Sequence, residues 1–359
     1  MRIAYLGQMA DVSTENGISK KIRGQALHWM QAGHEVRYFS LVPTTQAWRG
    51  LAPVTAELVA RGGSLLRPWR SLELARRMRT WRPDVIYFRY AYHSAGLPAL
   101  FREIPTVAEI NSDDLTEYPL TLSRAKLAYH RATRRRLLRT IAGFVPVTHE
   151  LGERFAGFGR PAEVIANGID LAGFPALPPP DAHGPLRLIF VGSAGSPWHG
   201  LERVAELARM FPEVTVDVVG RHAPDAIAAP NLRFHGPLLQ PRYEPLLRAA
   251  TAAIGTMASY IKRMDEGCPL KVREYLAAGL PVVAGYRDTD VPDSADYFLR
   301  LPNDNAPLAP HRERVAAWLE RWRGRRVPRA SVSYLDHSVK ETRRLAFLHR
   351  FVRPANAAP

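Results

Sequence analysis

Cysteine is almost missing from this chain: 359 residues hold one, Cys268. No internal disulfide framework is possible, and the composition fits a reducing, cytoplasmic setting. A thiol nucleophile at Cys268 lacks a visible histidine partner. Long apolar runs are missing too. No stretch reaches the roughly 18 residues of a membrane-spanning helix. Residues 1–7 carry one positive charge and a short apolar run, so they read as a first strand and not as a signal peptide. Zinc-ligand spacing, His-x-x-x-His pairs, a helix-turn-helix and an RNA-binding aromatic signature do not occur. No glycine group matches GxGxxG, which argues against a dinucleotide fingerprint. Internal repeats are also lacking.

Acidic residues are in short supply relative to basic ones. Lys and Arg number 49 against 34 Asp and Glu, a formal net charge of +15. Much of the excess is clustered arginine: Arg76, Arg77, Arg79 and Arg82; Arg134, Arg135, Arg136 and Arg139; Arg321, Arg323, Arg325 and Arg326. Such charge attracts anionic surfaces; a plain solvated basic surface is the alternative. Leu127, Tyr129, Leu137 and Leu138 give the second cluster an amphipathic character. That favours an anionic membrane or a polyanionic acceptor over nucleic acid.

Short apolar segments at residues 3–6, 35–40, 85–88, 106–110 and 144–147 predict strands, with a helix near 20–32. A second set lies at 186–191, 214–219, 232–234, 252–255 and 282–284, with a clear helix at 201–210 and further helices at 313–323 and 340–351. Alternating strands and helices imply parallel sheets covered on both faces. The Pro-rich stretch 177–185 reads as a semi-rigid linker. The expected organisation is an α/β chain with a first domain at 1–176, the linker at 177–185, a second domain at 186–336, and a final helix and tail at 337–359.

Residues 265–285 are the most informative. Glu266 and Glu274 flank a turn and a helix start, with Pro269 suited to the first helical position. Gly279 and Pro281 end the helix. The positive end of that helix and Lys271 suit an anion. Lys271 and Glu274 lie three apart on one face. A diphosphate held by the helix end and Lys271, with sugar hydroxyls held by carboxylates, suits a nucleotide sugar. A merely capped helix is the plain alternative.

This stretch, with its continuation Glu274-Tyr275-Leu276-Ala277-Ala278-Gly279-Leu280-Pro281-Val282-Val283, resembles the Glu-x7-Glu signature of family 4 glycosyltransferases. The resemblance implies GT-B architecture: two Rossmann-like domains with a deep interdomain cleft, the acceptor-binding one at 1–176, the nucleotide-sugar-binding one at 186–336, and a last helix within 337–359 that returns to the first. It also implies retention of anomeric configuration and neither metal nor other cofactor beyond the nucleoside diphosphate sugar. Val164 to Asp170, with Asn167-Gly168, is similar to a further family segment and is physically a tight-turn signal. The loop after the strand at 186–191 holds Gly192, Ser193, Ala194, Gly195 and His199. Small residues there let amides approach a phosphate. The family's Arg falls on Ser193 or Ala194 and its Lys on His199, a departure that shifts the burden to Lys271. Gly17, with Lys20 and Lys21, matches a glycine-bearing loop near the donor or acceptor. At the end of the fourth strand the family's His is missing; Glu109, Asn111 and Asp113 stand there. Asn111 is a candidate for a sugar hydroxyl, and Asp113 for a base or a helix N-cap. Tyr87, Phe88 and Tyr90 either stack on an acceptor or pack in the core. Asp288-Thr289-Asp290 resembles a metal-binding Asp-x-Asp, but follows the wrong kind of strand.

The expected catalytic set is therefore Glu266, Lys271, His199, Asn111 and Asp113. The expected donor set is Glu274, Gly17, Ser193, Gly195, Gly267, Cys268, Pro269 and Leu270. The expected activity is transfer from a nucleotide-sugar donor to a glycan or lipid-linked acceptor, as in surface polysaccharide or glycolipid assembly. The setting is cytoplasmic or peripheral on the inner face of an anionic membrane. A nucleotide-sugar epimerase, or a basic membrane or nucleic-acid binding module, remain the alternatives.

Overall fold

The computed structural model describes residues 1–7, 17–43, 51–63, 65–192, 195–224, 227 and 229–352. The chain forms two units: Met1–Ala166 with His337–Pro359, and Asn167–Asp336. The change of unit thus falls at Asn167 and not in the Pro-rich stretch. The Ile169 amide donates to the Leu335 carbonyl and Leu177 to Ala278, which ties residues before that stretch into the second unit.

The first unit contains β1 (Arg2–Gly7), α1 (Gly17–Gln31), β2 (Glu35–Val42), β3 (Thr55–Ala60), α2 (Arg67–Trp81), β4 (Val85–Arg89), α3 (Leu97–Glu103), β5 (Thr106–Ile110), α4 (Asp114–Thr121), α5 (Arg124–Leu138), β6 (Gly143–Pro146) and α6 (His149–Ala156). Its sheet runs β3-β2-β1-β4-β5-β6, and every pairing is parallel. The second contains β7 (Arg187–Val191), α7 (Leu201–Met210), β8 (Thr215–Val219), β9 (Leu232–Phe234), α8 (Gln240–Ala249), β10 (Ala252–Ile254), β11 (Glu266–Gly267), α9 (Leu270–Ala277), β12 (Val282–Ala284), β13 (Arg287–Asp288), β14 (Phe298–Arg300) and α10 (Arg312–Trp322). Its main sheet runs β14-β12-β10-β7-β8-β9, while β11 and β13 pair separately. Both main sheets follow the doubly wound 3-2-1-4-5-6 order, which puts ligand-binding loops at the carboxyl ends of the strands. The closing helix α11 (His337–His349) belongs to the first unit and packs with α1.

The inner strands are apolar on both faces, as a sheet covered by helices on both sides demands. Ile3, Tyr5, Val85, Tyr87 and Val107 anchor one core; Ile189, Phe190, Val216, Val218, Ile254 and Val283 anchor the other. Two edge strands, β3 and β14, lie outside the sequence expectations. β3 is mostly half-exposed and carries Glu57; β14 spans three residues. Neither shows the apolar run that marks an inner strand. No helix of the described residues is long and apolar enough to cross a membrane.

Candidate functional site

In the second unit the site grows from the carboxyl ends of β7 and β8 and the start of α9. The Gly192 amide donates to Val219, 2.9 Å, so the loops leaving the two strands touch. Gly220 has φ +91°, and a Cβ there would lie 2.2 Å from the Gly192 carbonyl oxygen. Only glycine fits that crossing. Tyr275 of α9 accepts from the Val191 amide at 2.7 Å, which fixes α9 against the end of β7.

α9 begins one residue later than its proline suggests. Pro269 is the N-cap, with no side-chain cap, and Leu270 is the first helical residue. The Leu270 and Lys271 amides have no hydrogen-bond acceptor among the described residues. The helix closes through a left-handed Gly279 at φ +86°, with Leu280 N donating to Tyr275 O and Gly279 N to Leu276 O. This pair of bonds is the Schellman arrangement.

Lys271 is the central observation. Its ammonium is shielded from solvent, lies 4.1 Å from the centre of the Phe190 ring, and has no hydrogen-bond partner among the described residues. Burial, and secondarily the charge of Arg221, lower its pKa to about 7. A buried cation without an acceptor is costly unless an anion arrives. His199, in a short helical turn, places its ring 6.1 Å from the same Phe190 ring, edge to face. Phe190 therefore brings two of the expected residues together.

Arg221, whose charge reaches Lys271, is a candidate site residue that the sequence reading missed. It follows Gly220 directly after β8, is partly exposed, and its guanidinium has no ion pair among the described residues. The available signal was a cation placed immediately after a strand and its glycine. Arg221→Ala is expected to weaken nucleoside diphosphate binding about 10- to 100-fold, as loss of a hydrogen bond to a charged group would. Isothermal titration checks this, and unchanged affinity would remove Arg221 from the site.

The remaining expected donor residues have mixed surroundings. Glu266 is buried on β11, 3.8 Å from the Arg287 guanidinium. Glu274 lies half-buried on α9, one turn beyond Lys271. Gly267 packs its backbone by Tyr286 and accepts from the Thr289 amide at 3.0 Å. Gly195 has φ +77° with nothing near its Cβ position. Ser193 lies outside the described residues. Cys268 is buried, and burial raises its thiol to about 11, far from a thiolate at neutral pH. Its carbonyl accepts from Asn167 Nδ2 at 2.8 Å, while Arg273 Nε donates to the Asn167 carbonyl at 2.8 Å. Arg273 also grips Asp288 at 2.8 and 2.9 Å and Asp290 at 3.3 Å. The Asn-Gly turn and the Asp-x-Asp pair thus brace the turn at Cys268.

The first unit holds the other expected residues. Glu109 is fully buried and accepts from Lys21 at 2.6 Å, Arg89 at 3.1 Å, Tyr87 Oη at 2.7 Å and Gln25 at 3.1 Å. Burial would raise its pKa, but Lys21, Arg344 and Arg89 outweigh burial and hold the carboxyl well below the usual range. Burial lowers Lys21 to about 8 against the opposing pull of Glu109. Asn111 joins this network, donating to Glu109 at 2.7 Å and accepting from Lys21 at 3.0 Å. Asp113 caps α4 by accepting from the Leu115 amide at 3.0 Å, and its other oxygen pairs with Arg154. Of its two sequence readings, the cap is the one whose bond is present. Gly17 opens α1, and Lys21 on that helix points into the core, not a loop. Tyr87 and Phe88 are core residues, and Tyr90 donates to Asp114 at 3.0 Å.

Residues 16–172 match the model of Glycosyltransferase Family 4, and residues 185–316 match that of Glycosyl transferases group 1. Glycogen synthase of Mycobacterium tuberculosis is 25% identical over 243 residues, 63% of this chain. The match spans 57% of that relative's length. Among solved structures, Anabaena HepE in complex with UDP and glucose aligns at TM-score 0.66 and 16% identity, covering 98% of this chain and all of its own. A glycosyltransferase from Rickettsia africae aligns at TM-score 0.67 and 11% identity, covering 99% of each. At these identities the structural matches speak to the fold.

Proposed function

From a chain that joins a Glycosyltransferase Family 4 domain to a Glycosyl transferases group 1 domain on GT-B architecture, we propose transfer of a sugar from a nucleoside diphosphate sugar to a hydroxyl acceptor. The observation that carries the proposal is the buried ammonium of Lys271 at the start of α9, without a hydrogen-bond partner among the described residues and under the charge of Arg221. Among the described residues, the one charge named as acting on Lys271 is another cation, Arg221, and such a pair calls for a multiply charged anion. The two free amides of the first turn add a favourable helix end.

In this reading the anomeric bond breaks and its electron pair goes to the diphosphate. Lys271, Arg221, His199 and the Leu270 and Lys271 amides hold the growing charge, the term that dominates such reactions. Glu274 accepts hydrogen bonds from the ribose hydroxyls and Glu266 from the donor sugar. Retention of configuration is part of the proposal. Asn111 and Asp113 keep their network and capping roles. HepE was solved with UDP and glucose, which puts a uridine nucleotide first among donors to try.

A thermal-shift panel of UDP, GDP, ADP and TDP tests the proposal. Binding to the native state raises Tm by mass action. One nucleotide is expected to stand out, and its free diphosphate is expected to accumulate from the sugar donor only when acceptor is present. Conversion of the donor to an epimeric nucleotide sugar, with no free diphosphate released, would favour the epimerase alternative. A flat panel would contradict the donor site.

A further inference from the structure

The first unit contains a cavity of about 350 Å³ at the start of α2, lined also by the loop after β4 and by α5. Its walls are mostly apolar, with Pro68, Ala95, Leu122, Ala125 and the ring of Tyr129, beside the polar Ser71 and Ser94. Its rim carries two cations, Arg67 and Lys126. Arg67 donates to Tyr92 Oη at 2.6 Å and stacks 4.9 Å over the same ring, so its guanidinium is held in place. Tyr129 is held by His93 Nδ1 at 2.6 Å. The cavity is thus built from fixed side chains.

The surface beside it is unusual in two ways. Leu65 and Trp69 are 90% and 71% exposed, with Leu66 and Leu72 exposed as well. On α2, Trp69 and Leu72 lie next to Pro68 around the helix, so the apolar strip continues the cavity wall. α5 contains no acidic residue. Arg124, Lys126, Arg131, Arg135 and Arg136 are exposed on it, and none has a side-chain ion pair among the described residues. Of the helices packed on α5, α3 carries Glu103, paired with Arg79, and α4 carries Asp114, paired with Arg134 and His130; on α2, at the same cavity, Glu73 pairs with Arg70 and Arg77. An apolar slot under a surplus of positive charge suits a molecule with a hydrocarbon chain and an anionic head.

The geometry points to a lipid phosphate as the occupant: the chain enters the cavity and the phosphate lies between Arg67 and Lys126. This rests on the transferase reading and names the carrier of the acceptor as a lipid phosphate.

Equilibrium dialysis of the full-length protein with dodecyl phosphate, below its micelle concentration, tests it. Dodecanol and inorganic phosphate are the comparison probes. Dodecyl phosphate is expected to bind saturably, at least tenfold tighter than dodecanol, and inorganic phosphate not to displace it. Ala125→Trp fills the cavity from an exposed helical position and is expected to weaken binding at least tenfold. Lys126→Glu is expected to weaken dodecyl phosphate but not dodecanol. The Tm of each variant checks folding, and the nucleotide-induced Tm shift checks the donor site separately. Equal binding of dodecyl phosphate to wild type and Ala125→Trp would mean adsorption on the apolar strip and would overturn the proposal, as would no binding at all. A lost nucleotide shift with lipid binding intact would instead count against the donor reading.

Discussion

Lys271→Met is expected to lower sugar transfer by about 10²–10³, the usual cost of removing one charge-stabilising donor, while leaving the protein at least as stable as wild type. The two halves of this expectation come from one feature. The ammonium lies against Phe190 without an acceptor, so the folded state without ligand holds a charge it does not compensate. Methionine fills similar space with no charge to desolvate. The pH dependence follows. The folded pKa is about 7, below the ordinary lysine value. Between the two values the unfolded chain binds more protons, so stability rises as pH increases through that window. Below about pH 7 the full penalty is present. Lys271→Met removes this slope. A bound diphosphate would draw the pKa back up, so nucleotide binding at pH 8 should take up a proton, which titration in buffers of different ionisation enthalpy reads. A variant that is several kcal/mol less stable yet binds nucleotide normally would contradict the account.

Glu109→Ala carries the largest stability effect, an expected loss of about 3–5 kcal/mol, the range for breaking a buried charge pair from one side. Glu109 sits among Lys21, Arg89 and Arg344, with Arg344 4.0 Å away and also paired to Glu341. Glu341 in turn accepts from Trp29 Nε1 at 2.9 Å. Removing the carboxylate leaves Lys21 and Arg89 without an ion pair among the described residues and releases Tyr87, Gln25 and Asn111. The carboxyl is held below its ordinary value, so its contribution is complete above the unfolded pKa. It is lost only as pH falls through the folded value. Urea denaturation at pH 7 measures the effect. A loss under about 1 kcal/mol would mean that the network relaxes around water and does not organise the unit.

Much of the fold was legible because the inner strands are short apolar runs separated by amphipathic helices. The helix at 201–210 came out at its true bounds. Of the strands that escaped, β3 and β14 are sheet edges without that signal, and β11 and β13 span two residues each. In the site, spacing placed Lys271 on the first turn of α9 and the family resemblance named His199; the fold sets both around Phe190. Other features depended on long-range packing. Arg221 lies 50 residues before Lys271, and only the crossing of Gly192 and Gly220 brings β7 and β8 loops together. Glu109 read as a polar residue at a strand end. Its role as a buried hub depends on α1, β4 and α11 converging on it, which no local pattern announces. Asp113 presented two readings, and the hydrogen bond from the Leu115 amide shows the capping one.

The most direct measurement is a crystal structure with the nucleoside diphosphate that gives the largest thermal shift. The account predicts diphosphate oxygens within hydrogen-bonding distance of Lys271 Nζ and of the Leu270 and Lys271 amides, with Arg221 closing on them. A nucleotide bound elsewhere, with the Lys271 ammonium still lying alone against Phe190, would contradict it.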